Sequence, residues 1–496
     1  METFLALLDS VLDVTTMLFA LLILMGLASI AVLYVIDVTQ SKQTIRKNYP
    51  VIGRLRYVFE HLGVFFRQYF FAMDREELPF NRAQRAWVAR AAKKVDGTLA
   101  FGSTKPLNRP GDIFFLNSAY PPTEEEIAAH ITEPLIFGEG FVTHPYTAPS
   151  FFNISAMSYG ALSGPAISAL SSGAHQSGIW LNTGEGGLSP FHQTAPCDLV
   201  FQIGTAKYGV RDDKGNLDTS KVSELAALPA VKMFEIKLSQ GAKPGKGGIL
   251  PGGKVTEIIA RTRGIPIGQN SISPNRHPDV TDAESLLDLV AKVREASGKP
   301  TGIKFVMGQA GWLDDLFSAI TARGIASAPD FFTLDSADGG TGAAPQGLMD
   351  NMGLPVASSL PSVHQRLVDA GLRDRVKLIA TGKMVNPAGV AGALCLGADA
   401  VCSARGFMFA LGCIQALQCH QNTCPTGITT HNTKLQRGLD PTDKATRVAN
   451  YADAIRKEVG LIANSAGVMN PSQLSQEHAF AIGPDGNPRA LQESLL

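Results

Sequence analysis

Two apolar patterns divide the chain. Near the N-terminus, residues 14–36 run for 23 positions without a charge, and 17–36 (MLFALLILMGLASIAVLYVI) are apolar almost throughout. About 20 such residues, as a helix, cross the hydrocarbon core of a bilayer. From residue 151 the pattern becomes short apolar runs alternating with amphipathic stretches. The runs at 151–156, 179–182, 233–238, 268–272, 301–306, 331–335, 376–381 and 400–403 predict strands. Helices are predicted over 165–177, 254–263, 283–297, 311–322, 360–370 and 387–396. Eight strand–helix steps in roughly 270 residues predict an α/β protein with a closed (β/α)8 barrel of TIM type. No GxGxxG follows an early strand, which argues against a dinucleotide-binding open sheet. The expected divisions are an anchor at 1–40, a basic linker and lead-in at 41–145, the barrel at 146–430 and a helical tail at 431–496, with its helix over 444–459.

Charge gives the apolar run a direction. A cleaved signal sequence is the competing reading, but Glu2, Asp9 and Asp13 stand where a basic leader belongs, and the run is long for a signal core. Between residues 38 and 94 there are 12 Lys/Arg and 4 Asp/Glu. By the positive-inside rule, one inner-membrane span then leaves the catalytic body in the cytoplasm. Arg54, Arg56 and Arg67, with Phe65, Phe66, Tyr69, Phe70 and Phe71, read either as a segment resting on the anionic leaflet or as a helical linker packed on the catalytic domain. Over the whole chain 44 basic residues balance 44 acidic ones, so a globally basic nucleic-acid binder is excluded.

Three of the six cysteines crowd into LGCIQALQCHQNTCPTGIT as Cys413, Cys419 and Cys424. In the cytoplasm structural disulfides are rare, and this many soft donors in one loop suit a metal. Zinc needs a fourth ligand, His420 or His431, and the usual paired spacing is absent. Three thiolates without a fourth ligand suit a [3Fe-4S] cluster, and a cysteine followed by proline also ends iron–sulfur ligand runs. Zinc and no metal stay open at this level.

Forty-nine glycines add a second signal. Asp338-Gly339-Gly340-Thr341-Gly342 follows the run FFTLD, Gly382-Lys383 closes the next and Ala404-Arg405 the last. Backbone N–H groups in such loops form an anion nest, although tight turns alone also call for glycine. A phosphate-bearing flavin fits a barrel whose chemistry lies at the C-terminal strand ends. Met157, Ser158, Gln269, Lys304, Asp338, Gly339, Gly340, Gly382, Lys383, Ala404 and Arg405 are the candidate cofactor contacts. Lys304 is suited to the flavin edge where reduction develops negative charge.

Asn182-Thr183-Gly184-Glu185-Gly186-Gly187, Gln240-Gly241-Ala242-Lys243-Pro244-Gly245, the 338–342 loop and the three-cysteine run together resemble the FMN-binding synthase domain of glutamate synthase, over about residues 140–430. The resemblance implies FMN and a [3Fe-4S] cluster on Cys413, Cys419 and Cys424. It further implies reduction of 2-iminoglutarate, formed from 2-oxoglutarate and ammonia. By the same resemblance Glu185 is the acidic element of the site, Lys237 and Arg263 hold the 2-oxoacid, and Lys243 is a further active-site lysine. A dicarboxylate needs two cations, and Arg grips a carboxylate bidentately. A lysine, or Glu185 with a raised pKa, is expected to supply the proton.

Departures from the pattern shape the expectation. No cysteine precedes Cys197, so no glutamine hydrolysis is expected from this chain, and no large β-helical domain is expected after residue 496. In Gly247-Gly248-Ile249-Leu250-Pro251 the family's usual glutamine is replaced by Ile249. An apolar side chain cannot replace a polar substrate contact. This leaves two readings: glutamate formation, or FMN/[3Fe-4S] chemistry on another 2-oxoacid, imine or amino acid. Either needs a separate electron donor, such as ferredoxin or an NAD(P)H-oxidising subunit.

Overall fold

Glu2–Thr39 forms one 38-residue helix, α1, free of proline and exposed along most of its length. Hydroxyls along it bond back to its own backbone: Thr16 donates to the Leu12 carbonyl and Ser29 to the Met25 carbonyl, each at 2.7 Å. Such back-bonding lets a polar residue sit in an apolar surround. Phe4–Thr39 is long and apolar enough to cross a membrane, a test that a signal sequence also passes. Two short helices follow, α2 (Thr44–Asn48) and α3 (Gly53–Phe66), and α3 continues as a π turn over Arg67–Phe71. The computed structural model describes residues 1–491, in two units, one of Met1–Ala83 and one from Gln84 onwards.

The second unit is a closed barrel of eight parallel strands: β1 (Phe152–Ile154), β2 (Leu181–Asn182), β3 (Leu199–Ile203), β4 (Val231–Lys237), β5 (Thr301–Val306), β6 (Phe331–Asp335), β7 (Lys377–Thr381) and β8 (Ala400–Ser403). Neighbours in sequence are neighbours in space, and Val401 of β8 pairs with Phe152 of β1 to close the ring. The strands are nearly continuous buried runs, as a sheet covered on both faces requires. Helices return the chain between strands, with standard signals at their ends. For example, Ser163 caps Gly164–Ser177 by accepting from the Ala166 N–H, and Gly178 ends that helix in the left-handed conformation.

Two strand expectations need correction. Leu199–Ile203 is a barrel strand that the pattern did not single out. Residues 268–272 are not a barrel strand: Ser271–Ile272 pairs antiparallel with Ile249–Leu250 in a hairpin on the long excursion between β4 and β5. The tail helix is longer than expected, Pro441–Ser465, because Asp440 caps it and Pro441 suits its first turn.

One end of the barrel is plugged. The hairpin Leu135–Phe137 with Tyr146–Ala148 brings Phe137 against Trp180 and Phe331, at ring separations of 5.8 and 5.6 Å. These residues lie at the N-terminal ends of the strands and share one buried cluster with Val200, Met233 and Ala400. The C-terminal end is left for chemistry.

Candidate functional site

Strand ends and their loops enclose a cavity of about 450 Å³. Lys237, the last residue of β4, donates from Nζ to Glu185 Oε2 at 2.8 Å and also to Gln240. Glu185 reaches it from the loop after β2, where Gly184 has φ +65° and where a Cβ would come within 2.7 Å of the Ser158 N. Only glycine makes that close turn without strain. Lys243, on the loop after β4, lines the same cavity.

Arg263 enters from the last turn of helix Glu257–Arg263 and is buried. Its guanidinium lies over the Tyr208 ring at 5.2 Å, and its Nη1 donates to Ser271 Oγ, which is 2.7 Å from the Tyr208 hydroxyl. A Cβ on Gly160 or Gly186 would come within 3.0 or 3.3 Å of Arg263 Nη2, so glycines clear its path. Its buried Nε has no partner. A buried cation with donors to spare suits an anionic ligand.

Electrostatics separates the three groups. Burial disfavours the Glu185 anion, but Lys237, Lys243 and Arg263 outweigh it and hold its carboxyl below the usual range. The expectation of a raised Glu185 pKa is therefore corrected: three cations surround it. Burial pushes the Lys243 ammonium below its ordinary value, which makes it the readier proton donor of the site.

The flavin-side candidates form a second arc. Burial works against the charge on Lys304, on β5, but Asp335 and Glu235 outweigh it and keep its pKa above the ordinary value. Its Nζ is 3.6 Å from Asp335 Oδ2, an oxygen that also accepts the Gly241 N–H at 3.0 Å. Arg405 lies against Gly340, where any Cβ would collide with the guanidinium, and it donates to the Thr341 carbonyl at 2.6 Å. Met157, Ser158, Gly340, Gly382, Lys383, Ala404 and Arg405 line the cavity. Asp338 sits behind that lining, paired with Lys383 at 3.0 Å, and Gly339 packs against Gly241. Gln269 is the exception: it is exposed on the excursion and does not line the cavity.

The cysteine loop joins this cavity at Cys419. Cys413, Cys419 and Cys424 are free thiols. The loop turns sharply, with left-handed φ at Gln415, Leu417 and Asn422. Buried Lys254 ties it to the barrel by donating to the Cys419 and Thr429 carbonyls at 3.2 and 3.3 Å. Burial raises the Cys424 thiol pKa, but hydrogen bonds from Thr426 and Thr429 outweigh it and the net shift is downward. A set of three thiols without carboxylates suits a soft metal. Among the described residues, however, no group of three His, Cys, Asp or Glu side chains is gathered to hold one.

Several residues of the site were not singled out from the sequence. His277 is buried and donates from Nε2 to the Lys237 carbonyl at 3.0 Å, while its Nδ1 has no partner. Tyr208, Gln240 and Lys254 are the others. Each acts across at least 40 positions of sequence except Gln240, so no local pattern announces them.

A parallel barrel with acid, lysine and arginine side chains gathered at its C-terminal end defines the class as a barrel enzyme. The family model described as a conserved region in glutamate synthase matches residues 126–469. The glutamate synthase large subunit-like protein YerD of Bacillus subtilis is 37% identical over 491 residues, covering 92% of this chain and 93% of its own. A glutamate synthase large subunit-like protein of Rhizobium meliloti is 31% identical over 430 residues, covering 82% of this chain and 92% of its own. The archaeal-type glutamate synthase [NADPH] of Thermotoga maritima is 35% identical over 316 residues, which are 63% of this chain and 59% of that protein. The chain belongs to the glutamate synthase family, and it is an oxidoreductase.

Proposed function

We propose that this chain reduces the imine of a 2-oxoacid and ammonia to an amino acid, with 2-oxoglutarate and glutamate as the first pair to test. The observation that carries the reading is the convergence of Glu185, Lys237, Lys243 and Arg263 on one cavity, beside Lys304 and Arg405. When bound, FMN supplies the hydride and a [3Fe-4S] cluster on Cys413, Cys419 and Cys424 supplies electrons singly. Support for the flavin is the cation-lined cavity and the family; support for the cluster is the donor set of three free thiols.

Arg263 is the natural anchor for a carboxylate, since Tyr208 and Ser271 fix its plane and its Nε is unspent. Lys237 reaches a second carboxylate by exchanging its bond to Glu185. Lys243 gives its proton to the imine nitrogen as hydride arrives at the α-carbon, so that C=N becomes CH–NH. Glu185 remains an anion and steadies the positive charge that the imine nitrogen carries once it has taken the proton and before the hydride neutralises it. Helix α1 anchors the chain in the inner membrane with the body in the cytoplasm; the basic residues after it support that orientation. A separate protein, ferredoxin or an NAD(P)H-oxidising subunit, supplies the electrons.

A second reading has its own observation. Ile249 lines the cavity and is 55% exposed there. An apolar wall favours a 2-oxoacid or imine whose side chain is not a carboxylate.

The test is anaerobic. Chemically reduced enzyme is mixed with ammonium and single 2-oxoacids while flavin reoxidation and amino-acid formation are followed. Reoxidation with 2-oxoglutarate and formation of glutamate bear out the first reading. Reoxidation only with an apolar 2-oxoacid replaces it by the second, and reoxidation with neither sinks both. Metal analysis showing zinc and no iron would remove the cluster.

A further inference from the structure

Asp37 lies at the end of α1 with no exposed surface, although helix α1 around it is exposed. Its carboxylate accepts from Arg46 Nε and Nη2 at 2.8 and 2.6 Å, from Arg54 Nε and Nη2 at 2.8 Å each, and from the Val51 N–H at 3.0 Å. This clamp folds α2 and the start of α3 onto the end of α1.

Beyond the clamp, α3 and its π turn expose their apolar side chains. Leu55, Phe59, Leu62, Phe66 and Phe70 recur at spacings of three and four, which places them on one helical face. Phe59 is 66% exposed and Phe70 is 74% exposed. Arg56, Glu60 and Arg67 recur at the same period on one flank of that stripe, about 100° round the helix. Residues 40–73 carry six basic residues, Lys42, Arg46, Lys47, Arg54, Arg56 and Arg67, against the single acid Glu60. An exposed stripe of phenylalanines flanked by arginines suits one surroundings above others: the boundary between anionic headgroups and acyl chains.

We infer that residues 53–71 are a second membrane contact, an amphipathic helix lying in the headgroup region of an anionic bilayer and held beside the end of α1 by the Asp37 clamp. The inference rests on the reading of α1 as a span, because it is the clamp's continuity with α1 that brings the helix to the membrane. Charge complementarity and that continuity together select a lipid surface as the occupant of the apolar face.

The test uses the full chain reconstituted in phosphatidylcholine–phosphatidylglycerol vesicles whose acyl chains are brominated either near the headgroup or deep in the core. Fluorescence of Phe66→Trp, Phe59→Trp, Glu60→Trp and Phe19→Trp is read after subtracting the wild-type emission of the three native tryptophans. Shallow bromines should remove most of the added emission of Phe66→Trp and Phe59→Trp, and little of that of Glu60→Trp. Equal quenching at Glu60→Trp and at the two phenylalanine positions, or at none of the three, overturns the inference. Phe19→Trp separates the two failures: deep quenching there with no shallow quenching at Phe66→Trp and Phe59→Trp leaves the span standing and removes the interfacial helix. Absence of quenching at all four positions removes both.

Discussion

Asp37 and Glu185 are both gripped by cations, and they differ in what is left over. Asp37 takes five hydrogen bonds from Arg46, Arg54 and the Val51 N–H, and it has no exposed surface. Glu185 takes one from Lys237 Nζ, with Lys243 and Arg263 close enough to act on its charge, and its side chain is partly open to the cavity. The first group is saturated, so nothing can enter without breaking it. The second keeps cations in reserve for a ligand. A saturated ion cluster is structure, and an unsaturated one in a cavity is a site.

Breaking the saturated cluster should give the largest effect. Asp37→Ala removes all five of its hydrogen bonds at once and leaves the guanidiniums of Arg46 and Arg54 facing each other. Asp37→Ala should therefore loosen residues 40–54 and speed trypsin cleavage after Arg46 and Arg54 by about 100-fold or more, since cleavage tracks local opening. kcat/KM with a reduced flavin enzyme should not change. Slow cleavage equal to wild type would show that the clamp holds nothing.

His277 lies between the two cases, with Nε2 satisfied by the Lys237 carbonyl and Nδ1 without a partner. Burial pushes its pKa down to about 4, so the folded state holds it neutral. Between pH 6.5 and 4 the unfolded chain binds the proton and the folded chain does not. Stability is therefore complete above about 6.5 and is lost as pH falls towards 4, by roughly 3 kcal/mol at 1.36 kcal/mol per unit. His192, held by Ser189 and the Met157 carbonyl, is also pushed down to about 4 and adds in the same direction. His277→Gln keeps a donor for the Lys237 carbonyl and does not titrate. Denaturant midpoints between pH 4 and 7 should show a shallower acid slope for this variant; an unchanged slope assigns the acid sensitivity elsewhere.

In the unsaturated cluster, Lys237→Ala removes a charge-assisted contact worth roughly 1.5–3 kcal/mol, which predicts a loss of about 10- to 150-fold in kcat/KM. Flavin content and melting temperature should hold. A loss of flavin as well would mean that Lys237 serves the fold rather than the substrate.

The contrast also explains what the sequence made legible. Barrel periodicity was visible because most strands are apolar runs bounded by Gly, Asp or Lys, and the three cysteines announce themselves by crowding. Leu199–Ile203 escaped because Gln202 interrupts its apolar run; inside the barrel that amide donates to Glu235 at 2.6 Å. Gln269 lies in the stretch 268–272, of which the fold extends only Ser271–Ile272, in a hairpin outside the barrel. Lys237, Glu185 and Arg263 could be named, but not their pairing. Their partners Tyr208 and His277 reach them from 55 and 40 positions away, and only the closed barrel brings those distances together.

The smallest effect concerns specificity. Ile249 sits on the hairpin opposite Ile272, exposed and lining the cavity, so Ile249→Gln should cost little stability. It places an amide where a carboxylate side chain of the substrate would need a donor. One neutral hydrogen bond contributes roughly 0.5–1.5 kcal/mol, which is about 2- to 13-fold in kcat/KM. The quantity to follow is the ratio of kcat/KM for 2-oxoglutarate to that for a 2-oxoacid with an apolar side chain, measured with ammonium under anaerobic conditions. If the cavity is built for the apolar acid, wild type favours it and Ile249→Gln moves the ratio towards 2-oxoglutarate by that factor. If wild type already favours 2-oxoglutarate and the substitution leaves the ratio unchanged, Ile249 lies outside the reach of the substrate. Its departure from the family pattern is then neutral, and recognition of both carboxylates falls to Lys237 and Arg263 alone.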